Sequence, residues 1–291
     1  MKKIENGMVI MSVDEYNVEQ QITLLRGMFT GFRDVFPLSL DALSLAVRCH
    51  KGQYREGGKP YIAHPLSMAC MAKGLGLRDD ALYATILLHD VCEDCGLKIQ
   101  EISESSQVRN AVRLMTVMQY SYDQTKADVK RRYFEDLLQS REALICKALD
   151  RIDNLESMAG VFERERVLKN WRETYHLLMP TLKRAKEMFN MRDYDLLHIL
   201  RGRIRSALVS IMHLYQFTDE EMYTPYGHMS FEQKPVHSAD YKLENELEEF
   251  REAQYSRAVI DVAAVPRVPK DAPLKTVDAG GTPKLDSSPI A

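Results

Sequence analysis

The stretch Asp79-Asp80-Ala81-Leu82-Tyr83-Ala84-Thr85-Ile86-Leu87-Leu88-His89-Asp90-Val91-Cys92-Glu93-Asp94 decides how this chain is read. Ala84 to Leu88 is apolar and must be mostly buried in the helix that runs up to His89. Asp79 and Asp80 suit its positive N-terminal end. His89, Asp90, Glu93 and Asp94 follow at once. At about 100° per residue they span an arc of about 140° on one side of a continuing helix. Burying charged groups without partners is costly, so such a cluster at the edge of a core calls for compensation. A divalent cation would supply it.

The same helical reading extends outward in both directions. Apolar residues recur at i, i+3, i+4 and i+7, and no run of β-branched residues alternates with period two. Helices are expected over 14–32, 39–54, 64–75, 79–92, 107–118, 125–139, 141–158, 163–188 and 192–217, so the fold class is all-α. Arg55-Glu56-Gly57-Gly58-Lys59-Pro60 must be a loop, since the glycine pair and the proline interrupt a helix. Beyond residue 218 the chain turns polar. An acidic helix is expected over 242–265. The segment 266–291, with five of the eleven prolines and no aromatic residue, is expected to be a disordered tail.

Composition narrows the function classes. The 291 residues are 45% hydrophobic and 28% charged, which excludes a disordered chain. A net charge of −3 argues against nucleic acid as the main partner. No run of about 18 apolar residues suggests a membrane span, and the N-terminus lacks the pattern of a secretory signal. Five cysteines read as reduced thiols of a cytoplasmic protein.

Three separated segments then carry the chemistry: His64 in Tyr61-Ile62-Ala63-His64-Pro65, the His89-Asp90 pair, and Asp150 in Leu149-Asp150-Arg151-Ile152-Asp153-Asn154. Two imidazoles and two carboxylates make a mixed nitrogen and oxygen set that suits Mn²⁺, Fe²⁺ or Zn²⁺ better than Ca²⁺. Such a site leaves room for water and a phosphate oxygen. Glu93, at i+4 from His89, could orient or deprotonate that water, with Asp94 assisting. Asn154, at i+4 from Asp150, would face the same pocket and reach a base or ribose. Taken singly these residues are weak signals. His64 reads equally as a helix cap, and Asp150 as part of a solvated face. The joint arrangement beside apolar helical segments is what points to a metal.

The chain resembles the metal-dependent HD-domain phosphohydrolases, and within them the (p)ppGpp hydrolase domain of Rel/Spo homologues, of the small alarmone hydrolase type. The residues that carry the resemblance are His50-Lys51-Gly52-Gln53-Tyr54-Arg55-Glu56-Gly57-Gly58-Lys59-Pro60-Tyr61-Ile62-Ala63-His64-Pro65, Leu87-Leu88-His89-Asp90-Val91-Cys92-Glu93-Asp94 and Ala148-Leu149-Asp150-Arg151-Ile152-Asp153-Asn154. The resemblance implies an HD hydrolase domain over 35–190. It would be preceded by an N-terminal helical segment, 1–34, and followed by a C-terminal helical extension, 191–265. It implies Mn²⁺, or another divalent transition metal, on His64, His89, Asp90 and Asp150. Glu93 and Asp94 would be the catalytic acids. Arg55, Asn154 and Ser157 would bind the substrate. The implied activity is removal of the 3′-pyrophosphate from a guanosine or adenosine alarmone of the stringent response. The partner is then a small-molecule nucleotide, and assembly as a homo-oligomer is left open.

Two departures bear on the substrate. Glu56 stands where the family commonly has Lys, and the His-Asn-x-Arg-Thr pattern reads Asp153-Asn154-Leu155-Glu156-Ser157, which puts Glu156 in place of Arg. Both reverse a positive charge near a polyanion. An HD-fold phosphatase or phosphodiesterase for another nucleotide is therefore the alternative, and a non-catalytic nucleotide-binding or antitoxin-type protein is a third reading. Cys92-Glu93-Asp94-Cys95 has the form Cys-x-x-Cys, but no second pair completes a zinc set. Trp171, Tyr175 and Leu178 form a packing stripe, and nothing after residue 190 resembles a synthetase.

Overall fold

The computed structural model describes residues 3–5, 8–10, 13–31, 36–116, 126–185 and 188–224. The expected acidic helix and tail lie outside these residues. The described part is a helical bundle: α1 Val13–Phe29, α2 Pro37–Cys49, α3 Ala63–Gly74, α4 Asp80–Leu88, α5 Val91–Asp94, α6 Ser106–Met115, α7 Lys126–Asp136, α8 Arg141–Met158, α9 Arg164–Glu173, α10 Met179–Arg184, α11 Met191–Tyr215 and α12 Asp219–Tyr223. One feature departs from an all-helical chain. Lys3–Glu5 (β1) pairs antiparallel with Met8–Ile10 (β2), with Ile4 opposite Val9. Three-residue strands are too short to show a period of two in sequence.

Helix α4 is the hub. Every residue from Ala81 to Leu88 is buried, and α4 packs against α2, α3, α6 and α8. A helix apolar on all sides must be enclosed in this way. Its start is capped as the sequence suggests, with Asp79 accepting from Leu82 N at 2.9 Å. Asp80 does something else. Its carboxylate accepts from Leu38 N (3.1 Å), Ser39 N (2.8 Å) and Ser39 Oγ (2.6 Å) at the start of α2. The first N–H groups of a helix have no partner within it, and a carboxylate cap contributes about 1 kcal/mol. Here the cap comes from a neighbouring helix, and it locks α2 to α4.

Three expected helices end or break differently. The helix expected over 79–92 stops at Leu88, and α5 restarts at Val91 after Asp90 (φ −101°, ψ −6°). His89, Asp90, Glu93 and Asp94 therefore do not share the continuous arc that an unbroken helix would give. The helix expected over 39–54 ends at Cys49, and the chain reverses through Gly52 at φ 80°. Within 163–188, residues Thr174–Leu178 form a π-helical turn. Pro180 explains it: the ring has no N–H to give to the carbonyl four residues back and crowds that carbonyl.

Helix α11 lies along α8, burying Leu197, Leu200, Ile204 and Leu208 on one stripe. Trp171, the one tryptophan of the chain, donates from Nε1 to Leu208 O at 2.9 Å and stacks on Tyr175. No helix among the described residues is long and apolar enough to cross a membrane.

Candidate metal centre

Three elements converge at one end of α4. The first turn of α3 brings in His64, the break between α4 and α5 presents His89 and Asp90, and α8 carries Asp150. Both imidazoles are 3% exposed and Asp150 is 4% exposed, so the polar cluster sits inside the core's edge. His64 Nε2 lies 3.2 Å from Asp150 Oδ1 and 3.8 Å from Asp90 Oδ2. His89 Nε2 lies 3.1 Å from Asp90 Oδ2 and 4.0 Å from Asp150 Oδ1. Ligand atoms of His64, His89 and Asp90 all fall within 4.8 Å of one another, and Asp150 joins this group through His64.

The other ring nitrogen of each histidine sets its tautomer. His89 Nδ1 lies 2.9 Å from Ile86 O, which can only accept, so Nδ1 carries the hydrogen. His64 Nδ1 lies 2.6 Å from Asp153 Oδ2, and the same argument applies. Both Nε2 lone pairs are thereby turned toward the two carboxylates. His89 Nε2 is buried and makes no hydrogen bond, because the Asp90 oxygen is near but not aligned. An orphaned buried nitrogen facing carboxylates fits a cation site, and the donor set suits a borderline transition metal.

The charges agree. Burial disfavours a protonated His64, yet hydrogen bonds to Asp150 and Asp153 outweigh it and push its pKa up to about 9. His89 moves upward against burial because of the Asp90 charge. Burial opposes ionisation of Asp90 and Asp150, but the His89 charge next to Asp90 and the Lys147 charge next to Asp150 hold them below the usual carboxylate range.

Around the donors stands a second ring of partners, of which the sequence singled out Asn154 but not Tyr61, Lys147 or Asp153. Tyr61 OH donates to Asp90 Oδ2 at 2.7 Å. Lys147 Nζ lies 2.8 Å from Asp150 Oδ2, and Asn154 Nδ2 donates to Asp150 Oδ1 at 2.5 Å. Asp153 holds His64. The available signal was spacing: Lys147, Asp153 and Asn154 lie at −3, +3 and +4 from Asp150 on one helix, and Tyr61 lies three residues before His64.

Glu93 and Asp94 are exposed on the short α5, beside the buried donors. Gln53 Nε2 donates to Asp94 O at 3.2 Å, which ties α5 to the 50–60 loop. Burial, then the Asp90 charge, then that of Asp94 push the Tyr61 hydroxyl pKa upward, so it stays a donor.

The loop displays Arg55. Arg55 N donates to Lys59 O at 2.8 Å and Gly58 N to Arg55 O at 2.9 Å. The turn needs positive φ at Gly57 (96°) and Gly58 (84°), and a Cβ at Gly57 would meet Val161 at 3.4 Å. Arg55 reaches α8, bonding Asp153 Oδ2 at 3.0 Å and Asn154 Oδ1 at 2.5 Å. The structure thus brings Arg55 and Asn154 together with the donors. Ser157 is exposed, and its hydroxyl bonds Asn154 O at 3.3 Å within its own helix.

Each charge reversal has a partner. Glu56 Oε1 and Oε2 accept from Arg166 Nη1 at 2.5 and 2.6 Å, and Arg166 also lies over the Phe162 ring. Glu156 pairs with Arg203 at 3.2 Å. Lys130 is held by Glu173 at 3.3 Å. All five cysteines are free thiols, and Cys95 sits near Gln53 and His50.

Residues 42–179, which contain every donor named above, match the family model described as HD domain. This segment is similar to HD domains. Its relatives include a guanosine-3′,5′-bis(diphosphate) 3′-pyrophosphohydrolase of Aquifex aeolicus, 31% identical over 49% of this chain and 21% of the relative. A GTP pyrophosphokinase of Streptomyces coelicolor is 30% identical over 49% of this chain and 17% of its own length. The bifunctional (p)ppGpp synthase/hydrolase SpoT of Escherichia coli is 26% identical over 56% of this chain and 22% of its own length. The chain spans only about a fifth of the length of these relatives.

Proposed function

We propose that this chain is a metal-dependent pyrophosphohydrolase. It would remove the 3′-pyrophosphate from a guanosine or adenosine tetra- or pentaphosphate, releasing pyrophosphate and GDP or GTP, or the adenine equivalents. The observation that carries the reading is the convergence of His64, His89, Asp90 and Asp150, with His89 Nε2 buried and unbonded. These four residues would hold the cation, for which we assign Mn²⁺. When bound it would supply Lewis-acid activation of water and of the phosphorus centre. The substrate class is drawn from the activities of the relatives, a guanosine-3′,5′-bis(diphosphate) 3′-pyrophosphohydrolase and a (p)ppGpp synthase/hydrolase.

The chain's own residues would divide the remaining work. Glu93 and Asp94, exposed beside the donors, orient the attacking water and take its proton. The water oxygen bonds to the phosphorus attached to O3′, and the bond between that phosphorus and O3′ breaks. Tyr61 holds Asp90 in place as a donor. Arg55 presents a planar guanidinium for the base, with Asn154 beside it on the nucleoside. Ser157 would line the edge of the same pocket. We place the enzyme in the cytoplasm, in keeping with its five free thiols, and place the HD hydrolase domain over 35–190 with α11 at the start of the C-terminal extension.

The pairing of Glu56 with Arg166 and of Glu156 with Arg203 favours a second reading, an HD-fold phosphatase or phosphodiesterase on a less anionic nucleotide. Incubation of the full chain with Mn²⁺ and ppGpp, ppApp and a panel of 3′-phosphorylated nucleotides separates the two. Pyrophosphate release is expected from ppGpp or ppApp. Orthophosphate release from the panel with no pyrophosphate from either alarmone would overturn the first reading.

A further inference from the structure

Asp153 occupies an unusual position. It sits on α8 one turn from Asp150, and one of its oxygens serves two masters. Oδ2 accepts from His64 Nδ1 at 2.6 Å and from Arg55 Nη1 at 3.0 Å. Arg55 completes its attachment through Asn154 Oδ1, and Asn154 in turn donates to Asp150 Oδ1. A closed circuit results: His64 to Asp153, Asp153 to Arg55, Arg55 to Asn154, Asn154 to Asp150, and Asp150 back to His64 Nε2 at 3.2 Å.

We infer that Asp153 is a positioning residue that couples the cation site to the nucleotide-recognising Arg55 through one shared carboxylate. The inference rests on the metal-dependent reading above. A carboxylate on the far nitrogen of a ligating imidazole fixes its tautomer, orients the ring and raises its basicity, and such partners are worth 10- to 100-fold in metal affinity. The same oxygen restrains a guanidinium that would otherwise sample many rotamers, which lowers the ordering cost when a base docks against it. Its side chain is 13% exposed, and the groups it faces are His64, Arg55 and the Ser67 hydroxyl, so both roles fall on a poorly solvated carboxylate.

Asp153→Asn and Asp153→Ala in the full chain test this, with Mn²⁺ affinity read from the electron paramagnetic resonance signal of free Mn²⁺. Asp153→Asn is expected to weaken Mn²⁺ binding about 10-fold and Asp153→Ala up to about 100-fold. At saturating Mn²⁺, kcat for alarmone hydrolysis should recover to within about threefold of the parent, while KM stays raised because Arg55 is no longer held. A role confined to helix stability would not be relieved by added Mn²⁺ in this split manner. Unchanged Mn²⁺ affinity in both variants would overturn the inference while leaving the metal reading intact. Absence of Mn²⁺ binding by the parent chain would overturn the metal reading and this inference with it.

Discussion

Lys147 Nζ lies 2.8 Å from Asp150 Oδ2, an ion pair one turn apart on α8 with the side chains only 15% and 6% exposed. Burial works against a charged Lys147, but the Asp150 carboxylate outweighs it and raises the amine above its usual range. Removing one partner of a buried pair strands the other charge, at a cost of about 3–5 kcal/mol. Lys147→Met should therefore lower the melting temperature by roughly 5–15 °C in metal-free protein. Added Mn²⁺ should recover more of that loss than it adds to the parent. Calorimetric melts with and without Mn²⁺ check this, and an unshifted melt would contradict the burial of the pair.

Ligand loss should be read in two ways at once. Chelation by EDTA is expected to abolish pyrophosphate release and Mn²⁺ to restore it. His89→Ala and Asp150→Asn should each cut turnover by more than about 100-fold and lower bound metal, since the ion supplies several kcal/mol of charge stabilisation. Metal content by mass spectrometry alongside the rate assay decides it. Full activity in a metal-depleted Asp150→Asn protein would be incompatible with the centre described.

The rim is where specificity should be tunable. Glu56→Lys and Glu156→Arg each break an exposed ion pair worth about 0.2–1 kcal/mol, so stability should hardly change. Together they raise the net charge of the rim by four. KM for a polyanionic alarmone should fall roughly 3- to 10-fold, more at low ionic strength because salt screens exposed charges beyond about 10 Å. Steady-state kinetics at two salt concentrations tests the pair of variants. An unchanged KM would mean the rim does not face the phosphates.

Acid stability should depend on Glu173. Burial alone would raise its pKa, but Arg151 at 2.7 Å and Lys130 hold it down, to about 2. A depressed carboxylate pKa contributes stability above the unfolded value of about 4.3, and that stability is lost as pH falls toward 2. The linked contribution is on the order of 3 kcal/mol. Glu173→Gln should be less stable than the parent at pH 7, with the gap narrowing between pH 4.5 and 2. Urea unfolding at both ends of that window measures it. A gap that stays constant would remove Glu173 as the source.

How much of this was legible in the sequence follows from the range of the forces involved. Helix positions came from local periodicity, and Asp79 caps α4 as its place before an apolar run suggests. The grouping of His64, His89, Asp90 and Asp150 followed from the cost of leaving such residues at a core edge unpaired. The break at His89-Asp90 was not visible, because nothing local forbids helix there. Tertiary partners decide it, with Tyr61 and His64 drawing Asp90 out of register. The clasp of Asp80 on α2 was equally hidden, since its partners lie about 40 residues away in sequence. Arg166 and Arg203 escaped for the same reason: each meets its glutamate only once α9 and α11 have docked.

The single tryptophan has a practical corollary. Trp171 is 1% exposed and bonded to Leu208 O, on the seam between α9 and α11 rather than beside the donors. Its fluorescence is a built-in gauge of whether that seam is closed. A red shift of emission on dilution into denaturant would report undocking of α11, while Mn²⁺ titration should leave the spectrum nearly still.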